Sequence, residues 1–141
     1  MPATRVLVVA NRTAGSAELL NALCKQASAR QVAVTLLVPA TWDVVDPHGG
    51  RETAERNLAA ALRRLRAEGL EADGTVGNPD PLVAVRDIWD PARFDEIIVS
   101  TLPAPVSKWL KLDLPRRVRR LTGVDVTHIT ASEAPAWEVR R

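Results

Sequence analysis

Short apolar runs alternate along this chain with longer segments in which apolar residues recur every three or four positions. The runs are rich in β-branched residues and are bounded by turn formers, which is typical of strands buried on both faces of a parallel sheet. They predict strands at Arg5–Ala10, Val32–Val38, Leu70–Val76, Asp95–Ser100 and Val124–Ile129. The third run is the most polar, which indicates a strand at the edge of the sheet.

The segments between these runs have helical periodicity and carry residues that begin and end helices. Four helices are predicted: one from Ser16, one over Glu52–Glu68 with Gly69 as its stop, one from the cap Asp80 with Pro81 to Asp90, and one from the cap Asp113 to Gly123. In the last helix, Leu114, Val118 and Leu121 are expected to face inward.

Strict alternation of strands and helices requires a parallel sheet with helices on both faces and right-handed crossovers. We therefore expect an α/β protein, a doubly wound three-layer α/β/α sandwich, forming a single domain over residues 1–141. Residues 131–141 show no pattern and are expected to be a flexible or dimer-associated tail.

Composition indicates where this protein is located and whether it contacts a membrane. The chain has 141 residues, of which 46% are hydrophobic and 26% charged, and no apolar run approaches the roughly 20 residues that span a bilayer. The amino terminus lacks the apolar core of a secretion signal, and the lone cysteine, Cys24, lies on an apolar helical stripe as a buried, inert thiol. These features predict a cytoplasmic protein without membrane contact.

Charge and candidate chemistry point away from nucleic acid and from catalysis. The net charge is only +2, and the cluster Arg116–Arg120 has almost no aromatic residues among its arginines, so nucleic-acid binding is not expected. His48 lies in a glycine-rich loop with Trp42, and His128 lies in a strand as a satisfied or edge residue. Neither has a nucleophile or metal ligand at a recognisable spacing, so we expect no catalytic residue, no metal and no enzyme.

Polar residues gather where strands are predicted to end, which is where open α/β sheets bind ligands. The candidate ligand-binding residues are Asn11, Arg12, Thr13, Pro39, Gly77, Asn78, Ser100, Thr101, Ser107, Lys108 and Lys111. Together with Trp109 they could hold an anion or a planar molecule. Alternatively, the two lysines are solvated and Trp109 is a hydrophobic plug or an interface anchor.

From Arg5 to Thr130 the chain resembles the universal stress protein superfamily. The resemblance rests on VLVVAN at the first strand, TLLVPA at the second, LRAEGLEADG after the second helix, VGNPDPLVAV as a V-x-G-x-P turn, DEIIVST and VTHIT. It implies strand order 3-2-1-4-5 with a switch point between the first and fourth strands. It also implies a homodimer through the fifth strand, where that family commonly associates.

Members of that superfamily that bind ATP carry G-x2-G-x9-G-[ST] after the fourth strand. Here those positions fall on Ser100, Pro103, Asp113 and Leu114, and the acidic residue that follows the first strand in many nucleotide binders is replaced by Asn11. Proline lacks an amide donor, and a carboxylate repels phosphate. No cofactor is therefore expected, and ATP binding in the usual mode of the family is disfavoured.

Two functions remain open at this point. The chain is either a dimeric regulatory module that acts through protein contacts, or a module that binds a nucleotide such as ATP or AMP, or another small anion, at the ends of the first and fourth strands.

Overall fold

The computed structural model describes residues 3–40, 50–103 and 107–131, without the side chains of Lys108 and Lys111. The expectations for Trp42, His48 and the tail beyond Ala131 lie outside the described residues.

Five parallel strands form one sheet in the order β3-β2-β1-β4-β5. They are β1 (Thr4–Val9), β2 (Val32–Pro39), β3 (Glu71–Gly77), β4 (Glu96–Thr101) and β5 (Val126–Thr130). The predicted α/β class, the doubly wound topology and the strand order are confirmed. The observed boundaries differ most at the start of β5, which begins two residues later than predicted, at Val126 rather than Val124.

The helices are α1 (Ala17–Ala29), α2 (Gly50–Ala67), α3 (Pro81–Ile88), α4 (Lys108–Lys111) and α5 (Leu114–Thr122). Ser16 and Asp80 cap α1 and α3 with their side chains, as expected. Gly69 and Gly123 have φ of 84° and 75°, the left-handed conformation that stops a helix. The short helix α4 was not predicted, because the prolines before it indicated a loop. In the described part of the chain, no helix has both the length and the apolarity needed to span a membrane.

Alternate side chains of the central strands pack on opposite faces of the sheet. One face joins Val6, Val8 and Ile98 to apolar residues of α1 and α2. The other joins Leu7 and Val9 to apolar residues of α3 and α5. The period of two along the strands therefore creates two cores, and the carboxyl ends of the strands open between the two helical layers.

At the opposite end of the sheet, Asp95 ties the start of β1 to the start of β4. Its carboxylate accepts hydrogen bonds from the Arg5 amide at 2.9 Å and from the Arg5 Nε at 3.2 Å. These hydrogen bonds from Arg5 hold the pKa of Asp95 below its ordinary value. This pairing adds a side-chain link between the two central strands at that end of the sheet.

Asp113 occupies the position before α5, as predicted, but it does not cap the helix. Its backbone is left-handed, with φ of 55° and ψ of 44°, and its side chain accepts no capping hydrogen bond. The carboxylate instead lies 3.6 Å from the Arg116 guanidinium. The left-handed backbone replaces the extended one that a side-chain cap requires, so this expectation was wrong.

Leu121 was expected to face inward, yet 38% of it is exposed. Leu114 and Val118 form the buried stripe of α5. Leu121 lies in the last turn of this helix and is not part of the core.

Cys24 is partly buried against the α1 and α2 side of the sheet. Burial raises the pKa of its thiol, and the nearby charge of Glu68 adds to this effect. A raised pKa lowers the thiolate fraction at neutral pH, which agrees with the expected inert thiol.

Replacing Gly74 by alanine should destabilise the fold strongly. A Cβ there would clash with the Leu36 carbonyl oxygen, so β3 would have to move away from β2; it would also lie 2.8 Å from Leu58 Cδ1, so the Leu58 side chain would have to shift. We expect a loss of about 3 kcal/mol in the free energy of unfolding, measured by urea denaturation. Gly69→Ala is the control. A Cβ at this position would have no atom within 4 Å, so the only strain would come from the positive φ. We expect it to lower the free energy of unfolding by about 1 kcal/mol. Equal losses in the two variants would contradict the close packing of β3.

Candidate functional site

Buried polar side chains of the described residues concentrate at one end of the sheet. All of them lie at the carboxyl ends of β1 and β4 or in the loops that follow: Asn11, Thr13, Ser16, Ser100, Thr101 and Ser107. Ser16 caps α1, and the other five were predicted as ligand-binding residues. Because buried polar groups need partners, the contacts of these residues decide what the crevice can bind.

Thr13 and Ser100 join the loop after β1 to the end of β4. Their hydroxyl oxygens are 2.7 Å apart, and the two residues are 2% and 1% exposed. Each hydroxyl can donate one hydrogen bond and accept others, so in this contact one hydroxyl donates and the other accepts. The contact lies at the switch point between β1 and β4, the place where a ligand was expected.

Asn11 links β1, β2 and α2 through its side-chain amide. Its Nδ2 donates to the Pro39 carbonyl at 2.8 Å, and its Oδ1 accepts from Asn57 Nδ2 at 2.8 Å. Both ends of the amide therefore have partners within the protein. Of the candidate residues, Asn11 is thus bonded to Pro39, and Thr13 to Ser100.

Thr101 turns to the other face of the sheet, away from Ser100. Its Oγ1 is 2.7 Å from Nε2 of His128 on β5. The pair has the separation of a nucleophile and its base, but Thr101 is 2% exposed and no carboxylate of the described residues orients the imidazole. The contact joins the edge strand to β4, which agrees with the expectation that His128 is a satisfied edge residue.

Gly77 and Asn78 form the turn from β3 into α3. A Cβ at Gly77 would lie 2.8 Å from Leu37 Cδ1 and 2.9 Å from Ala84 Cβ, so glycine allows α3 to approach the sheet. Asn78 is exposed, and its Oδ1 accepts a hydrogen bond from the Asp80 amide at 2.9 Å. The structural task of these two residues is to set the angle of α3.

A pocket of about 600 Å³ opens beside this turn, between the start of α2 and the length of α3. Its apolar walls come from Val76, Pro79 and Ile88, and Arg51 and Asp87 supply charges of opposite sign. The remaining lining residues are Ala40, Gly50, Thr75, Gly77, Asn78 and Ala84. This volume lies within the range of small-molecule sites. It lies at the β3 edge and not between β1 and β4.

The loop from β4 to α5 uses several of its amides internally. The Ser107 amide donates to the Pro103 carbonyl at 3.2 Å, and the Asp113 amide donates to the Leu110 carbonyl at 3.1 Å. Ser107 is buried, and its Oγ accepts from the Leu110 amide at 3.2 Å, which caps α4. These amides are not available to an anion.

Arg12 is exposed at the β1 end of the crevice, whereas the side chains of Lys108 and Lys111 lie outside the description. Convergence of these three cations on one ligand therefore stays a prediction. In the described residues, no group of three or more histidine, cysteine, aspartate or glutamate side chains has the arrangement of a metal site.

Sequence reasoning missed Asn57, Arg51 and Asp87. Asn57 follows Ala54 by three positions and precedes Ala61 by four, so it lies on the apolar stripe of α2. A polar residue on such a stripe signals a buried partner, and that signal was present in the sequence. The pocket around Arg51 and Asp87 depends on how α2 and α3 diverge, which no local pattern encodes.

No model of a protein family matches the chain, and no curated protein matches it in sequence. Its fold, however, is similar to those of solved structures. A universal stress protein from Archaeoglobus fulgidus aligns with a TM-score of 0.65 and 18% identity, over 90% of this chain and 93% of that one. The same protein in complex with dAMP gives a TM-score of 0.64 and 17% identity, over 92% of this chain and 98% of that one.

A further universal stress protein, in complex with cAMP, aligns with a TM-score of 0.60 and 19% identity, over 94% of this chain and 100% of that one. At such identities the likeness concerns the fold. The chain has the fold of the universal stress proteins, and the resemblance noted in its sequence is confirmed at that level.

Removing one hydroxyl of the Thr13 and Ser100 pair should cost more than its own hydrogen bond. Ser100→Ala leaves the Thr13 hydroxyl buried without a partner, and Thr13→Val does the reverse, so each should lose about 1–3 kcal/mol. In the double variant neither buried hydroxyl remains without a partner. Its loss in the free energy of unfolding should therefore be smaller, by about 1 kcal/mol, than the sum of the losses in the two single variants. Urea denaturation of the unaltered protein, the two single variants and the double variant gives the four free energies of this double-mutant cycle. Strictly additive losses would show that the two hydroxyls do not satisfy each other.

Proposed function

We propose that this protein is a non-catalytic regulatory module of the cytoplasm that acts through protein contacts as a homodimer and does not bind ATP in the manner of triphosphate-binding stress proteins. The observation that carries this proposal is that polar side chains at the strand ends have partners inside the protein. Thr13 bonds to Ser100, and Asn11 bonds to Pro39 and Asn57, at the place where a nucleotide would need polar groups.

The loop between β4 and α5 supports the same conclusion. The positions that are glycine in the ATP-binding motif are Ser100, Pro103 and Asp113 here, and Leu114 replaces the hydroxyl residue. Pro115 removes a further amide from the first turn of α5. A triphosphate at this helix would meet the carboxylate of Asp113 where the family offers a bare backbone.

Dimerisation through β5 is supported by the place of that strand in the sheet. In the described residues, β5 pairs with β4 on one side only, which leaves the outward backbone groups of Val126–Thr130 open to a second strand. Thr127 and His128 on this strand are exposed. An edge strand without charged residues lacks one of the protections that prevent strand pairing between chains.

A second candidate function is the binding of a nucleoside monophosphate. The pocket of about 600 Å³ beside Gly77 favours it, because its apolar walls suit a flat ring and Arg51 suits an anion. Two of the structurally similar proteins are described as complexes with cAMP and dAMP. A monophosphate carries less charge than ATP, and in this pocket it would not need the loop between β4 and α5.

Titration calorimetry with Mg-ATP should detect no binding with a dissociation constant below about 10 μM. The variant Pro103→Gly with Asp113→Gly restores two of the three glycine positions without touching the buried Leu114, and it should bind at least about tenfold more tightly, because it regains an amide and loses a carboxylate. Tight binding by the unaltered protein would contradict the proposal. The same titration with AMP decides the second candidate, which fails if no heat of binding appears.

Light scattering at tens of micromolar protein should return the mass of a dimer. Thr127→Lys on β5 should shift the protein toward monomer, because a charged side chain on an edge strand opposes pairing between chains. Thr75→Lys places the same residue at an exposed position of the opposite edge strand, β3, and should leave the dimer unchanged. A monomer mass for the unaltered protein would overturn the dimer.

A further inference from the structure

We propose that the flank of α5 formed by Arg117, Arg120 and Leu121 binds an acidic protein segment that also carries apolar side chains. We refer to these three residues as the α5 flank. The proposal does not depend on the crevice or on the absence of ATP binding, because it rests on exposed side chains of α5.

Helical spacing places the three residues side by side. Arg117 lies one turn before Leu121 and three positions before Arg120, so their side chains are neighbours on one surface. Leu114 and Val118 on the inward stripe are 2% and 0% exposed, whereas both arginines are exposed and Leu121 is 38% exposed. The flank thus combines two cations with an adjacent apolar side chain at the surface.

The charge of α5 is only partly neutralised by its surroundings. Arg116 lies 3.6 Å from Asp113, and Arg119 lies 3.4 Å from Asp125. Arg117 and Arg120 make no ion pair with any residue in the described part of the chain. Like charges three or four positions apart also destabilise a helix. Carboxylates from a partner would relieve that repulsion and find guanidinium groups suited to bidentate contact.

The exposed apolar residues near the arginines of α5 favour an acidic protein over a nucleic acid or a lipid surface as the partner. Leu112 and Leu121 are the large hydrophobic residues most exposed in the described part of the chain, at 53% and 38%, and both lie next to the arginines of α5. α5 has no aromatic residue on which a nucleic-acid base could stack. Its own apolar stripe is buried in the core, so it cannot insert into a lipid surface. Arginine beside an exposed apolar residue is typical of protein interfaces.

The test uses the full-length protein and a fluorescein-labelled peptide of the repeating sequence Glu-Glu-Leu, with fluorescence anisotropy as readout. Binding is expected, and it should weaken as salt rises, because the contact is electrostatic. Arg117→Glu with Arg120→Glu should weaken it at least about tenfold. Leu121→Gln should weaken it by about threefold or more, because it removes the apolar contact without changing the charge.

The matched control is Arg56→Glu with Arg63→Glu on α2, which packs on the opposite face of the sheet and makes the same change in charge on exposed residues. It should change the affinity by less than about twofold. An equal loss in this control would show attraction to net charge alone and overturn the proposal, as would absence of peptide binding. Tighter binding of the flank to single-stranded oligothymidine or to phosphatidylserine vesicles would also overturn it. Circular dichroism confirms that each variant is folded.

Discussion

A parallel sheet that is covered on both faces leaves polar groups at the ends of its central strands, and those groups must find partners without help from bulk water. In this protein the partners are other residues of the same chain. The Thr13 and Ser100 hydroxyls bond to each other, and the Asn11 amide bonds to Pro39 and Asn57. These contacts fix the loops after β1 and β4, and with them the start of α1 and the place of α2.

The same contacts bear on the balance between stability and ligand binding at this end of the sheet. A crevice that binds an anion keeps donors unpaired until the anion arrives, at some cost to stability. At the β1 and β4 ends of this sheet, the side chains of Asn11, Thr13 and Ser100 have partners inside the protein. The pocket at the β3 edge is a separate opening, whose walls are mainly apolar.

The fold could be predicted from the sequence because its signals are local. Runs such as Ile97–Val99 fit only a doubly covered strand, and Gly69 and Gly123 mark helix ends by conformations that other residues avoid. The polar residues of the site could also be found, since five of them follow strands. Their pairing could not, because the contact between Thr13 and Ser100 joins residues 87 positions apart and depends on the register of β1 with β4. The failure at Asp113 has a similar origin, since a side chain that favours caps also tolerates the left-handed backbone.

The left-handed backbone of Asp113 also has a consequence for redesign of the turn into α5. At φ of 55° this residue has a conformation that glycine adopts readily, so glycine could replace it without a change in the path of the turn. Sequence change at such a position alters the chemistry that the turn presents and leaves the architecture as it was. A protein engineer who wished to install phosphate recognition would therefore begin with side chains and would not need to rebuild the loop at this residue.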